Sequence, residues 1–164
     1  MHLYIHTFLH TYIHTYIHTY IHTYIHNIAG HYDCGAIRAA TSRQDLGLLE
    51  NWLRQIRDVY RLHRDYLDLI SDEEQCHCSL VELNVIEQCL NLYKTGVVQR
   101  KRHQTRKELL QAFPTNANLE EEVYPRIYGM VFNPADGHLK KLTVNFERSV
   151  GSLDHIYGLY DNDK

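Results

Sequence analysis

Residues Gly30-His31-Tyr32-Asp33-Cys34-Gly35 form a glycine-flanked turn that holds a histidine and a cysteine three positions apart. From such a turn both side chains can direct a lone pair towards one metal ion. Zinc prefers four nitrogen, sulfur or oxygen ligands in a tetrahedron, and catalytic zinc sites keep one of the four positions for water. His31 and Cys34 are therefore candidate zinc ligands, and a third protein ligand is expected from elsewhere.

The composition limits the classes of protein to which this turn can belong. The chain has 164 residues, 44% of them hydrophobic, and a formal charge of −3, which predicts one globular domain without a nucleic-acid-binding surface. No apolar run approaches the ~20 residues that cross a bilayer, so no membrane partner is expected. No secretory signal is present, and the cysteines are irregularly spaced. We therefore expect reduced thiols and a cytoplasmic location. The four are Cys34, Cys76, Cys78 and Cys89.

Residues 1–26 repeat the unit His-Thr-Tyr-Ile, with a histidine at every fourth position from His2 to His26. The four-base DNA unit CATA, translated in any frame, gives this period, so we interpret residues 1–27 as a translated microsatellite outside the fold. The alternative is a histidine-rich arm that binds zinc, copper or nickel loosely. A targeting peptide is not expected, because the repeat contains no Lys or Arg.

Residues 28–164 have the patterns of an ordinary folded domain. Ile28 and Ala29 indicate the end of a buried strand, and a short helix is predicted over residues 36–40. Apolar residues at three- and four-residue steps predict an amphipathic helix over residues 48–60, with Trp52 as a core aromatic.

The second half of this domain predicts one more helix and two strands. Ser79 and Glu82 form a capping box that predicts a helix beginning at Ser79, and Gly96 ends it. Strands are predicted over residues 126–132 and 139–146, separated by a turn at 133–137. The basic residues within 100–107 are interpreted as a solvated face rather than a phosphate site. This order predicts an α/β fold with a partial parallel sheet flanked by helices.

Four ordered blocks of the sequence resemble the β-class carbonic anhydrases, in their bacterial and fungal branch. The blocks are Gly30-His31-Tyr32-Asp33-Cys34-Gly35-Ala36, Gly47-Leu48-Leu49-Glu50-Asn51-Trp52-Leu53-Arg54 with Ile56-Arg57-Asp58-Val59, Glu82-Leu83-Asn84-Val85 with Glu87-Gln88, and Tyr128-Gly129-Met130-Val131-Phe132 with Asp136-Gly137. The resemblance implies a Zn²⁺ enzyme that interconverts carbon dioxide and bicarbonate and forms dimers or tetramers. It also implies two Cys ligands and one His ligand, of which His31 and Cys34 match the second and third.

One family motif is not found. Members carry, upstream of the His-x-x-Cys turn, a Cys-x-Asp-x-Arg motif whose Cys is the first ligand and whose Asp and Arg form a dyad beside the bound water. None of the four cysteines here precedes x-Asp-x-Arg, so no catalytic residue is assigned. We therefore expect an N-terminally truncated chain that lacks the family's first strands and does little catalysis alone.

Three interpretations stay open. The first is an incomplete gene model of an active enzyme. The second is a non-catalytic relative or a pseudogene product. The third and weakest is a histidine-rich metal-binding peptide fused to a degenerate domain.

Two further motifs receive structural interpretations. Cys76-His77-Cys78 is a possible second metal clip, but adjacent ligands suit one tetrahedron poorly, and the motif is expected in a polar loop after Asp72. Asp33 is explained by the turn and receives no catalytic role.

Overall fold

The computed structural model describes residues 25–115, 122–151 and 154–160. In chain order the elements are β1 (Ile25–His31), α1 (Gly35–Thr41), a 3-10 turn (Gly47–Leu49), α2 (Glu50–Leu62), α3 (Arg64–Leu67), α4 (Glu73–Tyr93), α5 (Gly96–Ala112), β2 (Arg126–Phe132), β3 (Leu139–Leu142), α6 (Phe146–Gly151) and α7 (Asp154–Tyr157). Most of the repeat lies outside the described residues. The last two residues of the repeat, Ile25 and His26, are the first two residues of β1. This strand therefore begins before residue 28, the expected start of the domain.

The described strands form one mixed sheet in the order β1-β2-β3. β1 and β2 are parallel, with Ile25 opposite Arg126 and His31 opposite Phe132. β2 and β3 are antiparallel, so the predicted partial parallel sheet holds for β1 and β2 but is wrong for β3. Only residues 133–138 connect these two strands, and a parallel crossover needs a dozen residues or more.

Helix α4 covers one face of this sheet. Alternate residues of a strand point to the same face, and in β2 these are Ile127, Gly129 and Val131, all buried. Gly30 of β1 and Gly129 of β2 both face Val85 of α4 at close range. Because these positions lack side chains, the helix approaches the strand backbones closely.

The start of α4 corrects two expectations. The helix begins at Glu73 rather than Ser79, and Asp72 caps it by accepting a 2.7 Å hydrogen bond from the backbone N–H of Gln75. An Asp at the N-cap followed by two Glu residues suits a helix start, since carboxylates are favourable near the N-terminus. Cys76-His77-Cys78 therefore lies on the helix and not in a loop. On a helix, successive side chains point about 100° apart.

The predicted amphipathic helix is confirmed as the 3-10 turn plus α2. Leu53, Ile56 and Val59 form its buried face. Leu48 is 90% exposed, and Trp52 is 37% exposed. The prediction of Trp52 as a core aromatic is therefore wrong, because the buried stripe runs through positions 53, 56 and 59, and Trp52 lies beside it.

Candidate metal centre

The structure places His31 and Cys34 at the carboxyl edge of the parallel strand pair. His31 is the last residue of β1, paired with Phe132 at the end of β2. Cys34 is the N-cap residue of α1, three residues later. The carboxyl ends of parallel strands meet at one edge of a sheet, where open α/β folds bind ligands. Strand and helix therefore fix the backbone on either side of the two candidate ligands.

The two residues between them make a sharp turn. The Tyr32 N–H donates to the Phe132 carbonyl at 2.9 Å, which extends the strand pairing one residue beyond β1. Asp33 has a φ of +54°, in the left-handed region that Asp tolerates better than most residues. This reversal brings Cys34 to the beginning of α1.

The imidazole of His31 contacts a neighbouring backbone carbonyl. Its Nδ1 lies 2.8 Å from the carbonyl oxygen of Tyr32. Because a carbonyl oxygen only accepts, this contact favours the tautomer with its proton on Nδ1 and its lone pair on Nε2. Nε2 is therefore the nitrogen of His31 suited to a metal.

Tyr32 connects the turn to α4 and β3. Its hydroxyl donates to Oε1 of Glu82, which also accepts a 2.7 Å bond from Nζ of Lys140. Burial, and next the hydrogen bond to Glu82, raise the pKa of Tyr32. The phenol therefore stays protonated and works here as a hydrogen-bond donor.

Asp33 is held by Arg38 of α1. The Arg38 Nε and Nη2 atoms donate to Oδ1 of Asp33 at 3.1 and 3.0 Å, and Nη2 also donates to Oε2 of Glu74 at 2.6 Å. The hydrogen bond to Glu74, followed by that to Asp33, raises the pKa of the Arg38 guanidinium. Sequence reasoning missed Arg38, although its position one helical turn after Cys34 was a local signal. Glu74 gave no such signal, because it lies far along the chain.

The other three thiols belong to α4, and that of Cys78 interacts electrostatically with Tyr32 and Arg38 beside the turn. Burial raises the pKa values of Cys76 and Cys78 on α4. It raises the pKa of Cys89, which is 0% exposed, to about 11. His77, between the first two, contacts Thr41 Oγ1 at 2.9 Å through its Nε2. His77 of this motif is thus buried against α1.

His31 and Cys34 carry side chains of the types that bind zinc, but two protein ligands are fewer than a zinc site needs. An imidazole and a thiolate are donors that zinc prefers, and a zinc site needs at least one more protein donor. Among residues 25–115, 122–151 and 154–160, no group of three or more His, Cys, Asp or Glu side chains could hold a metal ion. The described part of the chain therefore offers two candidate ligands, fewer than a zinc site needs.

Comparisons with known proteins point to one family. The family model described as carbonic anhydrase matches residues 21–115. A carbonic anhydrase of Emericella nidulans is 42% identical over 132 residues, which cover 80% of this chain and 50% of that protein. A carbonic anhydrase of Candida albicans is 24% identical over 139 residues, covering 84% and 43%. The chain thus spans about half the length of the curated relatives it matches.

Solved structures share the fold. A β-carbonic anhydrase of Aspergillus fumigatus superimposes with a TM-score of 0.61 at 22% identity, covering 82% of this chain and 56% of that one. One of two tetrameric β-carbonic anhydrases of Sordaria macrospora gives 0.59 at 22% identity, covering 81% and 59%. The Coccomyxa β-carbonic anhydrase in complex with acetazolamide gives 0.63 at 21% identity, covering 87% and 61%. In the described part of this chain, no helix is long and apolar enough to span a membrane.

Proposed function

The chain belongs to the β class of the carbonic anhydrase family, and from this premise we propose that it acts in the reversible hydration of carbon dioxide to bicarbonate at a zinc ion. The balanced reaction is CO2 + H2O ⇌ HCO3⁻ + H⁺. The observation that carries the proposal is the placement of His31 and Cys34 on either side of one turn at the carboxyl edge of the parallel strands. Membership of the family supplies the reaction, and the turn supplies the candidate site.

The residues proposed to hold zinc are His31, through Nε2, and Cys34, through its thiolate. The contact of His31 Nδ1 with the Tyr32 carbonyl supports this assignment, since it favours the tautomer with the lone pair on Nε2. When bound, zinc supplies Lewis acidity, which makes water a stronger acid and so a nucleophile near neutral pH. The contribution of the chain itself is to position the two donors through the sheet edge and α1.

We further propose that this chain binds zinc weakly and hydrates carbon dioxide slowly by itself. None of its four cysteines precedes x-Asp-x-Arg, and its described residues provide two donors where zinc needs at least three. The alternative function, supported by the same observation, is that of a non-catalytic relative. By analogy with the tetrameric Sordaria enzymes, we propose a homo-oligomer, and a cytoplasmic location stays a prediction.

Cobalt titration of the full-length chain tests the site. Cobalt bound to a thiolate has a charge-transfer absorption band, and the histidine repeat cannot produce it, because residues 1–26 contain no cysteine. The band should appear in the wild type and in Cys76→Ala, and disappear in Cys34→Ala and His31→Ala. A band that survives in Cys34→Ala would refute the proposed ligands.

Stopped-flow measurement of carbon dioxide hydration tests the activity with stoichiometric zinc. A rate close to that of buffer with free zinc supports the proposed weakness of this chain. A rate far above buffer that is lost in Cys34→Ala would confirm the carbonic anhydrase reaction and show that our proposal of weak activity is wrong.

A further inference from the structure

We propose that Arg38 is a positioning residue, which holds the turn between His31 and Cys34 in the shape that presents both donors to a metal. This inference rests on the proposed function. It is carried by the contacts of Arg38 on three sides: with the turn, with Cys34 and with α4.

The first contact restrains the strained residue of the turn. Asp33 has a φ of +54°, a conformation that L-residues adopt only when their surroundings hold it. Both the Nε and the Nη2 of Arg38 donate to the same oxygen, Oδ1, of Asp33. Two donors from one rigid guanidinium restrict the direction of the carboxylate, and with it the backbone of the turn.

The second contact joins Arg38 to the candidate ligand itself. The Arg38 backbone N–H donates to the Cys34 carbonyl at 3.2 Å, as the first helical hydrogen bond of α1. Arg38 therefore binds Cys34 through its main chain and Asp33 through its side chain. Movement of α1 would alter both together.

The third contact connects this unit to the central helix. Arg38 Nη2 donates to Glu74 Oε2 at 2.6 Å, and Nη1 lies 3.4 Å from Nδ1 of His77, which is buried. Glu74 and His77 belong to α4, the helix that packs against β1 and β2. Through Arg38, the turn at the end of β1 is fixed to the helix that supports that strand.

Because these groups are exposed, the effect of Arg38 on the metal site can be distinguished from its effect on global stability. The side chains of Arg38, Asp33 and Glu74 are 42%, 72% and 58% exposed. Exposed ion pairs add little to the stability of a protein, so loss of Arg38 should hardly change global unfolding. Groups that orient metal ligands commonly change metal affinity by about 10–100-fold when removed, and we expect the lower end here.

The test compares Arg38→Met with Arg43→Met in the full-length chain. Arg43 is exposed in the segment after α1 and serves as the matched control. Arg38→Met should weaken thiolate-band cobalt binding by about 10-fold, while Arg43→Met keeps the wild-type affinity. In the metal-free protein, Arg38→Met should also speed amide hydrogen exchange at residues 32–35, with the urea midpoint within error of wild type.

Asp33→Asn provides an independent variant, because Asn tolerates the left-handed conformation but lacks the charge. It should weaken the binding of cobalt in the same direction as Arg38→Met, and the losses in the double variant should be less than additive, since both changes weaken the same contact between residues 33 and 38. Arg38→Lys keeps the charge without the planar fork and should be intermediate.

Wild-type cobalt affinity and wild-type exchange in Arg38→Met would overturn the inference. Additive losses in the double variant, or a urea midpoint that falls in parallel with the affinity, would overturn it as well. Failure of the proposed function is seen separately, as a cobalt band that persists in Cys34→Ala. In that case the metal-free exchange measurement still decides whether Arg38 holds the turn.

Discussion

Gly30 of β1 lies directly beneath Val85 of α4: a Cβ atom placed on Gly30 would come 2.7 Å from Val85 Cγ2. Real Cβ atoms do not approach carbon so closely, so the helix sits where it does only because residue 30 has no side chain. Gly30, which immediately precedes the candidate ligand His31, thus allows the short distance between α4 and β1.

Gly30→Ala should destabilise the protein by about 1–3 kcal/mol, because a methyl group forced into a packed core displaces its neighbours. Urea unfolding measures the loss. Gly35→Ala is the control, since a Cβ there meets nothing within 4 Å. Val85→Ala in the Gly30→Ala background should recover part of the loss. Equal stability of Gly30→Ala and Gly35→Ala would contradict the close packing.

Asp72→Ala should cost about 0.5–2 kcal/mol, because it removes the side chain that accepts from Gln75 N–H at the start of α4. Asp72→Asn should be nearly neutral, since Asn caps helices as well as Asp. Ser79→Ala should also be nearly neutral, because Ser79 lies inside the helix. Thermal unfolding distinguishes these variants, and a larger loss in Ser79→Ala than in Asp72→Ala would place the helix start at Ser79 after all.

Cys89 should make the protein less stable at alkaline pH. Burial raises the pKa of its thiol from 9.0 to about 11. Between these values the unfolded chain loses a proton that the folded chain keeps, so stability falls as pH rises, by about 2–3 kcal/mol in total. Urea unfolding of wild type and Cys89→Ala at pH 8 and pH 11 isolates this effect, because other alkaline titrations are common to both. Identical pH dependence in the two proteins would contradict the prediction.

His26 should make the protein less stable in mild acid. Burial in β1 lowers its pKa below the usual 6.5, so the folded state resists a proton that the unfolded chain accepts. This contribution is present above pH 6.5 and is lost as pH falls through the lowered pKa. His26→Leu should therefore lose less stability than wild type between about pH 7.5 and about pH 5. His155→Leu, a change at an exposed histidine, is the control and should follow wild type.

Local patterns predicted the elements that depend on local sequence. β2 occupies residues 126–132 as predicted, because a branched and aromatic run is bounded there by turn residues. The stripe of Leu53, Ile56 and Val59 likewise identified the buried face of α2. For α4, the sequence is consistent with an N-cap at Asp72 and also with a capping box that begins at Ser79. Burial of His77 against the rest of the chain favours the earlier start, and only the fold shows that burial.

The candidate site was predicted only in part for the same reason. His31 and Cys34 stand three residues apart, so their spacing is visible in the sequence. The contacts that hold their turn join distant segments: Tyr32 meets Glu82 and Lys140, and Arg38 meets Glu74. No periodicity or short motif encodes such pairs. Asp33, interpreted from the sequence as a turn residue, lies in the turn and also forms an ion pair with Arg38.

The parallel pairing of β1 with β2 also determines when the site can form during synthesis. Ile25 pairs with Arg126 and His31 with Phe132, so roughly a hundred residues must follow β1 before its partner strand exists. Helices α1 to α5 lie between the two strands in the sequence and are therefore synthesised earlier than β2. Among the described residues β1 pairs with β2 alone, so a nascent chain cannot present His31 at the edge of this strand pair until Phe132 has been made.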